Sequence, residues 1–452
     1  MVQTGGMQIA AQVSSFLRAM TRPLTERVRK LALQLAMRGK ESPIPDITTL
    51  RKIPEHLTFP LRRDGVDPVP LLAESREQAP VTKLGSVLGL DIVLVTGHAE
   101  SKHVLADRNA YSNDMRHLLG TRKRTDAEGI GGLGMTDPPD HTKLRGLLTP
   151  EFTMRRLGRL NEMIDRIVTD ALDDMEAHGP EVDLVQHFGF EIPFRVICEL
   201  LGMPEDVRDE FHKLGMARFD LSEGGAGAFG AATETRTFLI EQVRQQRANP
   251  GDGMIGEIIR NKGAEYDDVE LGGLADGVFL GGYETSASML SMGAYVLMQN
   301  PEAYEILRSG DKTEVDKVVE ELLRYLCPVQ IAFPRFARED HDLFGLPVKK
   351  GAVVLVSLTG ANRDPAVVPK PEQFDLRNAD TMHFAFGHGM HRCVGAELAR
   401  MELRAALTGL ARRFPDLSMA TDDPDDLGWR DLSVVYSLDR LPVRLAKDPV
   451  PA

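Results

Sequence analysis

Cysteine is nearly missing from this chain: three residues, Cys198, Cys327 and Cys393, stand in 452. An odd, sparse set builds no disulfide framework, so a reducing cytoplasmic setting is expected. No apolar run approaches the roughly 18 residues that a transmembrane helix needs. Positive charge is also in deficit. The formal net charge is -13, which argues against general attraction to nucleic acid, and no basic stripe interleaved with aromatics offsets it. Internal repeats and low-complexity blocks are lacking too. What is left is ordinary globular composition, 42% hydrophobic and 27% charged. The chain is long enough for a large core with a cofactor cavity inside it.

The deficit of positive charge is not uniform. Between Met7 and Lys40 stand Arg18, Arg22, Arg27, Arg29, Lys30, Arg38 and Lys40, against one acid, Glu26. That segment carries +6, so the remainder carries -19. Leu24, Val28, Leu31 and Leu35 recur at helical spacing, giving one apolar face. Residues 1–40 therefore read as a basic amphipathic extension. It would lie on the protein's own acidic surface or, as a second reading, make a weak peripheral contact with a membrane. Gln34 and Arg38 interrupt the apolar stretch, which fits a signal peptide poorly.

The pattern along the chain is mainly helical, with small strand clusters toward both ends. Residues 41–75 are rich in proline and charge and read as an extended lead-in. Val81–Leu84 and Asp91–Val95 read as strands, Gly85 and Gly89 as the turn between them, and His98 to about Leu105 as a helix. Helical pattern dominates from Leu144 to Met203. Leu221–Gly230 is glycine-rich and reads as a mobile loop. Asp267 and Asp268 place acids at the start of a long helix that reaches about Met298. Another helix spans about Lys312 to Leu326, ended by Pro328, and Val353–Val356 is strand-like. A helix follows Cys393 to about Phe414, and Asp431–Leu445 reads as a hairpin. Gly129–Gly134 spells the dinucleotide-binding GxGxxG, but no strand precedes it and a proline pair follows, so it reads as a loop.

The segment Phe386-Gly387-His388-Gly389-Met390-His391-Arg392-Cys393-Val394-Gly395 carries the chemistry. Its glycines allow tight turns and close approach to a flat cofactor. Backbone N–H groups at the start of the following helix can donate to the cysteine sulfur. Zinc is a competing reading of His388, His391 and Cys393, but a structural zinc site takes four ligands and no fourth lies nearby. Glu321 and Arg324 are three apart on one helix and can pair. Gly281-Gly282-Tyr283-Glu284-Thr285 puts two glycines inside a helix, at about 1 kcal/mol each. Such a helix can open locally to admit a small ligand.

The ten-residue segment resembles the haem-binding loop of the cytochromes P-450, and the other motifs follow in that family's order over roughly residues 55–446. Val196–Pro204 and Ala361–Pro365 match it as well. The resemblance implies a mainly α fold with a smaller β region, one catalytic domain over 41–452, and haem b (iron protoporphyrin IX) with Cys393 as the axial ligand of its iron. Phe386, Gly387 and Gly282 would lie against the haem. His141, Arg145, Arg335 and His391 would hold its propionates, for which the planar arginine fork is suited. Glu284 and Thr285 resemble the acid–alcohol pair of the family's oxygen-binding groove. Glu321 and Arg324 resemble its buried core pair, although the usual position of a third, arginine partner holds Asn378, with Arg377 beside it.

The implied reaction is insertion of one oxygen atom from O₂ into a C–H bond of a hydrophobic small molecule, a thiolate ligand favouring O–O cleavage. Electrons would come from a ferredoxin and its NAD(P)H-dependent reductase, docking near Arg392 and Lys143. A peroxide-driven peroxygenase would not need Glu284 and Thr285, and a non-enzymatic haem sensor would bind ligands without turnover. The loop over about Tyr111–Gly134 carries Arg116, Arg122, Lys123 and Arg124 beside Leu118 and Leu119. It could receive an anionic head group, as of a fatty acid.

Overall fold

A computed structural model describes residues 54–446, except residue 88 and residues 115–131 and 220–225. The basic extension over 1–40 and the basic loop residues Arg116, Arg122, Lys123 and Arg124 lie outside the described residues. The helices that position the site are α1 (His98–Ala106), α2 (Asp140–Leu148), α3 (Asn161–His178), α4 (Glu191–Leu201), α5 (Arg208–Phe219), α6 (Ala226–Ala248), α7 (Asp268–Met298), α8 (Lys312–Leu326) and α9 (Ala396–Arg413). The strands are β1 (Val81–Val87), β2 (Leu90–Val95), β3 (Tyr111–Ser112), β4 (Glu181–Asp183), β5 (Arg335–Ala337), β6 (Val353–Val356), β7 (Ser418–Met419) and β8 (Pro442–Arg444). The fold is mainly α with a smaller β region, as the sequence implies. No helix among the described residues is long and apolar enough to cross a membrane.

Helix α7 is the axis of the molecule, with 31 residues and a length of about 46 Å. A capping box starts it: Glu270 N donates to Asp267 Oδ1 at 2.7 Å and Asp267 N to Glu270 Oε2 at 3.1 Å. Its sequence is apolar nearly all round, as a helix buried on most sides requires. Leu271, Leu274, Phe279, Tyr283, Met289, Leu290, Met292 and Leu297 are all buried in the main core. One stripe departs from this. Gly277, Val278, Gly281, Gly282 and Thr285 are partly or fully exposed, and their spacing puts them on one face.

The two strand clusters expected at the ends of the sequence combine across it. The larger sheet has the order β1-β2-β6-β5-β3, with β6 parallel to β2 and antiparallel to β5. It thus joins residues more than two hundred positions apart. A second sheet, β7-β8-β4, closes the C-terminal part against the segment after α3.

Several local expectations change. Gly85 is not in a turn; it lies within β1, where the register shifts between Lys83 and Gly85. The lead-in becomes helical from Pro70 to Gln78, proline serving as its first residue. Residues 226–230 of the supposed glycine-rich loop belong to α6, so packing against α5 and α7 overrides glycine's poor helix propensity there. The C-terminal hairpin is irregular and begins earlier, with Trp429 bridged to Leu438 and Arg430 N donating to Ser437 O at 3.0 Å. Strand β8, at its end, belongs to the second sheet.

Glu321 and Arg324 on α8 are fully buried and paired through two hydrogen bonds of 2.7 and 2.8 Å. Arg324 also donates to the carbonyls of Asn362, Pro371 and Gln373 at 3.0–3.1 Å. No third cation among the described residues completes the pair. Glu321 Oε1 instead accepts from Asp375 N at 2.8 Å and Asn378 Nδ2 at 3.4 Å, while Arg377 stays exposed on Asp375. A neutral amide therefore takes the third place. Removing one member of a buried, hydrogen-bonded pair typically costs about 3–5 kcal/mol. Glu321→Ala is expected to lower the urea midpoint of the haem-loaded protein by that amount of free energy, or to abolish soluble expression. An unchanged midpoint with unchanged slope would show that the pair contributes little.

Candidate active site

The Cys393 loop is shaped by its backbone. Gly387 N donates to Phe384 O and Cys393 N to Phe386 O, both at 2.8 Å. Gly387 and Gly389 have φ of +67° and +72°, which only glycine adopts without strain. Gly389 is also pressed against α1, and a Cβ there would stand 2.4 Å from the Leu105 carbonyl oxygen. No other residue fits at that position. Below the loop, Phe384 N donates to Asn362 Oδ1 at 2.6 Å, tying the loop to the backbone that Arg324 holds.

Of the three cysteines, Cys198 and Cys327 are buried and only Cys393 is exposed. Burial pushes the thiols of the first two up to about 12, so they are inert. The Cys393 thiol is also raised, burial being the largest influence, while the Gly395 N–H and then Arg145 and Arg392 pull it down. A side chain that is exposed yet desolvated lies on the wall of an internal space. The N–H of Gly395, at the start of α9, and the neighbouring guanidiniums are the features that stabilise a thiolate.

Two arginines and two histidines border the loop. Arg335 is buried on β5 and donates to Phe333 O at 2.8 Å; burial lowers it to about 10. His391 falls to about 3 through burial, Arg335 and then His141. The His141 ring, from α2, meets that of His391 at 4.5 Å, and it too is lowered, mainly by burial. His141 Nε2 and His391 Nδ1 are buried without a hydrogen-bond partner. Arg145, one turn along α2, reaches the Arg392 carbonyl at 2.6 Å, and burial lowers it. The acid in this neighbourhood, Asp137, is already engaged by Arg338, Ser112 and Asn113. Buried donors without acceptors are costly. This arrangement suits a bound anion with two carboxylates, and an exposed sulfur beside it suits a metal that prefers a soft ligand. The residues present therefore fit haem.

On α7, a Cβ at Gly281 would meet nothing within 4 Å, whereas one at Gly282 would press on Ile197. The helix is continuous through Gly281 and Gly282 rather than opened, and the Thr285 hydroxyl donates back to the Gly281 carbonyl at 2.7 Å. Glu284 does not join it. Its carboxylate is ion-paired with Arg430 at 3.2 Å, and Arg430 continues to Asp439. Burial pushes Glu284 up to about 7 against the pull of Arg430. The next residue but one, Ser286, lies beside Glu402 of α9 and draws its carboxyl down slightly. Glu402 is buried, its Oε2 has no partner, and burial raises it to about 8. Sequence reasoning missed Arg430, Ser286 and Glu402. Glu402 lies nine residues after Cys393, but only the crossing of α9 with α7 shows that it is buried.

Glu402 gives a pH dependence with a definite sign. Its folded value lies above the ordinary 4.5, so the folded state holds the proton more tightly. The resulting stability is complete below about pH 4.5 and is lost as pH rises through about 8. Glu402→Gln removes this dependence. Across that interval the wild type is expected to lose on the order of a few kcal/mol more than the variant, as read from urea unfolding at pH 5 and pH 9. Parallel losses in both proteins would mean that Glu402 titrates normally.

The comparisons agree with this geometry. The sequence model of the family described as cytochrome P-450 matches residues 227–436. Cytochrome P-450 165B3 of Amycolatopsis orientalis is 37% identical, covering 85% of this chain and 97% of its own. 6-Deoxyerythronolide B hydroxylase of Saccharopolyspora erythraea is 35% identical, covering 82% of this chain and 95% of its own. Among solved structures, OxyB from teicoplanin biosynthesis, in complex with an X-domain, is 37% identical with a TM-score of 0.77, covering 85% of this chain and 99% of that one. The chain belongs to the cytochrome P-450 family, an oxidoreductase of the monooxygenase class.

Proposed function

We propose that this monooxygenase holds haem b with Cys393 as the iron ligand and hydroxylates a C–H bond of a hydrophobic small molecule. The observation that carries the reading is Cys393 itself, the exposed cysteine, on a turn that its glycines impose, with a backbone N–H and two guanidiniums stabilising its sulfur. Bound haem supplies the oxygen and one-electron chemistry that side chains lack. Arg335, His391, His141 and Arg145 would take its carboxylates, and the orphaned nitrogens of the two histidines support that role.

The chain's own residues manage protons and exclude water. Thr285 presents a hydroxyl on the open stripe of α7. Glu284, near 7 and clamped by Arg430, can hold or release a proton close to neutrality. Glu402 offers a second carboxyl of raised proton affinity beside Ser286, the residue after Thr285. The buried core around α7 keeps bulk water away from both.

For electrons, Arg392, Lys143, Arg155 and Arg159 offer exposed positive charge on a chain of formal net charge -13. An acidic carrier such as a ferredoxin suits it. For substrate, the α7 stripe offers glycine, valine and one hydroxyl, which suits a bulky apolar body. A relative named as a hydroxylase of 6-deoxyerythronolide B accords with that. A long carboxylate is the finer alternative that the basic loop suggests, and it predicts tighter binding of an acid than of its methyl ester.

Cys393→His is expected to abolish the red-shifted Soret band of the reduced carbonyl complex while the protein still folds. Retention of that band would remove Cys393 as the ligand. Thr285→Ala is expected to keep haem and substrate binding but to divert NADH-derived electrons to peroxide or water. Coupling equal to wild type would take Thr285 out of the mechanism.

A further inference from the structure

Outside the haem-binding residues, α3 ends in a group of side chains that the monooxygenase reading does not use. Asp174 and His178 are four apart on α3 and share a face. His187 comes from a π-helical segment, Val185–Phe190, that leads into α4. Such irregular turns are rare and re-aim side chains. One ligand atom from each of the three lies within 4.8 Å of the others. His187 Nδ1 is 2.8 Å from Asp174 Oδ2, His178 Nδ1 is 3.5 Å from Asp174 Oδ1, and the two rings are 4.2 Å apart.

We propose that Asp174, His178 and His187 bind one divalent transition-metal ion of the zinc class, which fastens the end of α3 to the segment entering α4. The donor set is two imidazoles and one carboxylate. Zinc takes these at about 2.0–2.2 Å in a tetrahedron with edges of about 3.3 Å, and at this exposed site, with three protein ligands, water would fill the fourth position. The ligand atoms, within 4.8 Å of one another, would have to draw together to reach that spacing. Imidazole favours zinc, copper and nickel over magnesium and calcium, which select oxygen. The His178 ring is oriented by its Nδ1, which donates to the Asp174 carbonyl at 2.8 Å, the kind of outer contact that ligating histidines make.

The charges around the group also suit a cation. Neighbouring acids on α3 have partners of their own: Asp170 pairs with Arg195, and Asp173 and Glu176 pair with Arg413. Asp174 alone among these turns toward the histidines. A surface hydrogen bond between Asp174 and His187 would need only those two residues. The second imidazole, His178, stands against the first at 4.2 Å and brings a third ligand atom to the same place. The segment so fastened is packed on the central helix. A Cβ at Gly189 would fall 2.2 Å from Ser291 Oγ, and Phe190 meets Tyr283 at 5.4 Å and lies under Arg430 at 5.6 Å. The ion would therefore stiffen a wall that touches the Glu284 partner.

The test uses haem-loaded full-length protein without affinity-tag histidines, stripped with a chelator and then titrated with zinc chloride, with magnesium chloride as control. One zinc per chain by calorimetry is expected, with a thermal midpoint that rises with zinc concentration and no response to magnesium. His178→Ala and His187→Ala are each expected to weaken zinc binding at least tenfold and to leave the reduced carbonyl spectrum unchanged. His178 is half exposed, so its variant folds even where a substitution at the more enclosed His187 does not. Absence of stoichiometric zinc binding in the wild type, or equal binding by His178→Ala, would overturn the proposal.

Discussion

A guanidinium buried in a protein must have all its donors answered, and Arg324 meets that demand in a way that organises the cysteine side of the molecule. Two of its contacts go to Glu321 on its own helix, and three go to carbonyls of a single irregular stretch, Asn362, Pro371 and Gln373. That stretch has little secondary structure of its own, so its conformation is set by the donors it must satisfy. Arg363 repeats the device in part: it is buried over the Tyr325 ring at 3.9 Å and donates to Tyr325 O, Asp67 and Glu372, while its Nε is left without a partner. Asn362 then orients Phe384 N, and the Cys393 loop follows two residues later. His98 of α1 adds a second tie, its Nε2 lying 2.9 Å from the Met382 carbonyl and its ring 4.6 Å from that of Phe384.

The ionisable groups along α7 and α9 show two responses to the same desolvation. Glu284 is buried with a cation, and its carboxyl rises only to about 7. Glu402 is buried with a serine hydroxyl, and its carboxyl rises to about 8. Neither is a stabilising choice, since an apolar residue of similar size would cost less. The core thus retains two carboxyls raised toward neutrality, one on α7 and one on α9.

The basic residues near Cys393 make the complementary case. Arg335, His391, His141 and Arg145 crowd together on an otherwise acidic protein, each lowered by burial. With both histidines neutral, Arg335 and Arg145 are the positive charges in this group, and His141 Nε2 and His391 Nδ1 are its buried nitrogens without a partner. An anion bound there would add to the stability of the folded chain.

Much of the site was legible in order along the chain. The glycines around Cys393, the spacing of Glu321 and Arg324, and the acids that cap α7 are local signals: tight turns, helical faces and first-turn charge act within a few residues. The same holds for α8 and β6, whose ends match the pattern of apolar periodicity and proline stops. What the tertiary structure decided is every pairing across the chain. Glu284 turns to Arg430, 146 positions away, because the C-terminal irregular hairpin packs on α7. Asn378 fills the third place beside Glu321, together with the backbone N–H of Asp375. Gly227 and Gly230 join helix α6 because α5 and α7 pack against it. Ser286 and Glu402 meet only where α7 and α9 cross. Local sequence sets what each segment can form, and long-range desolvation determines which of its polar groups must find partners, and where.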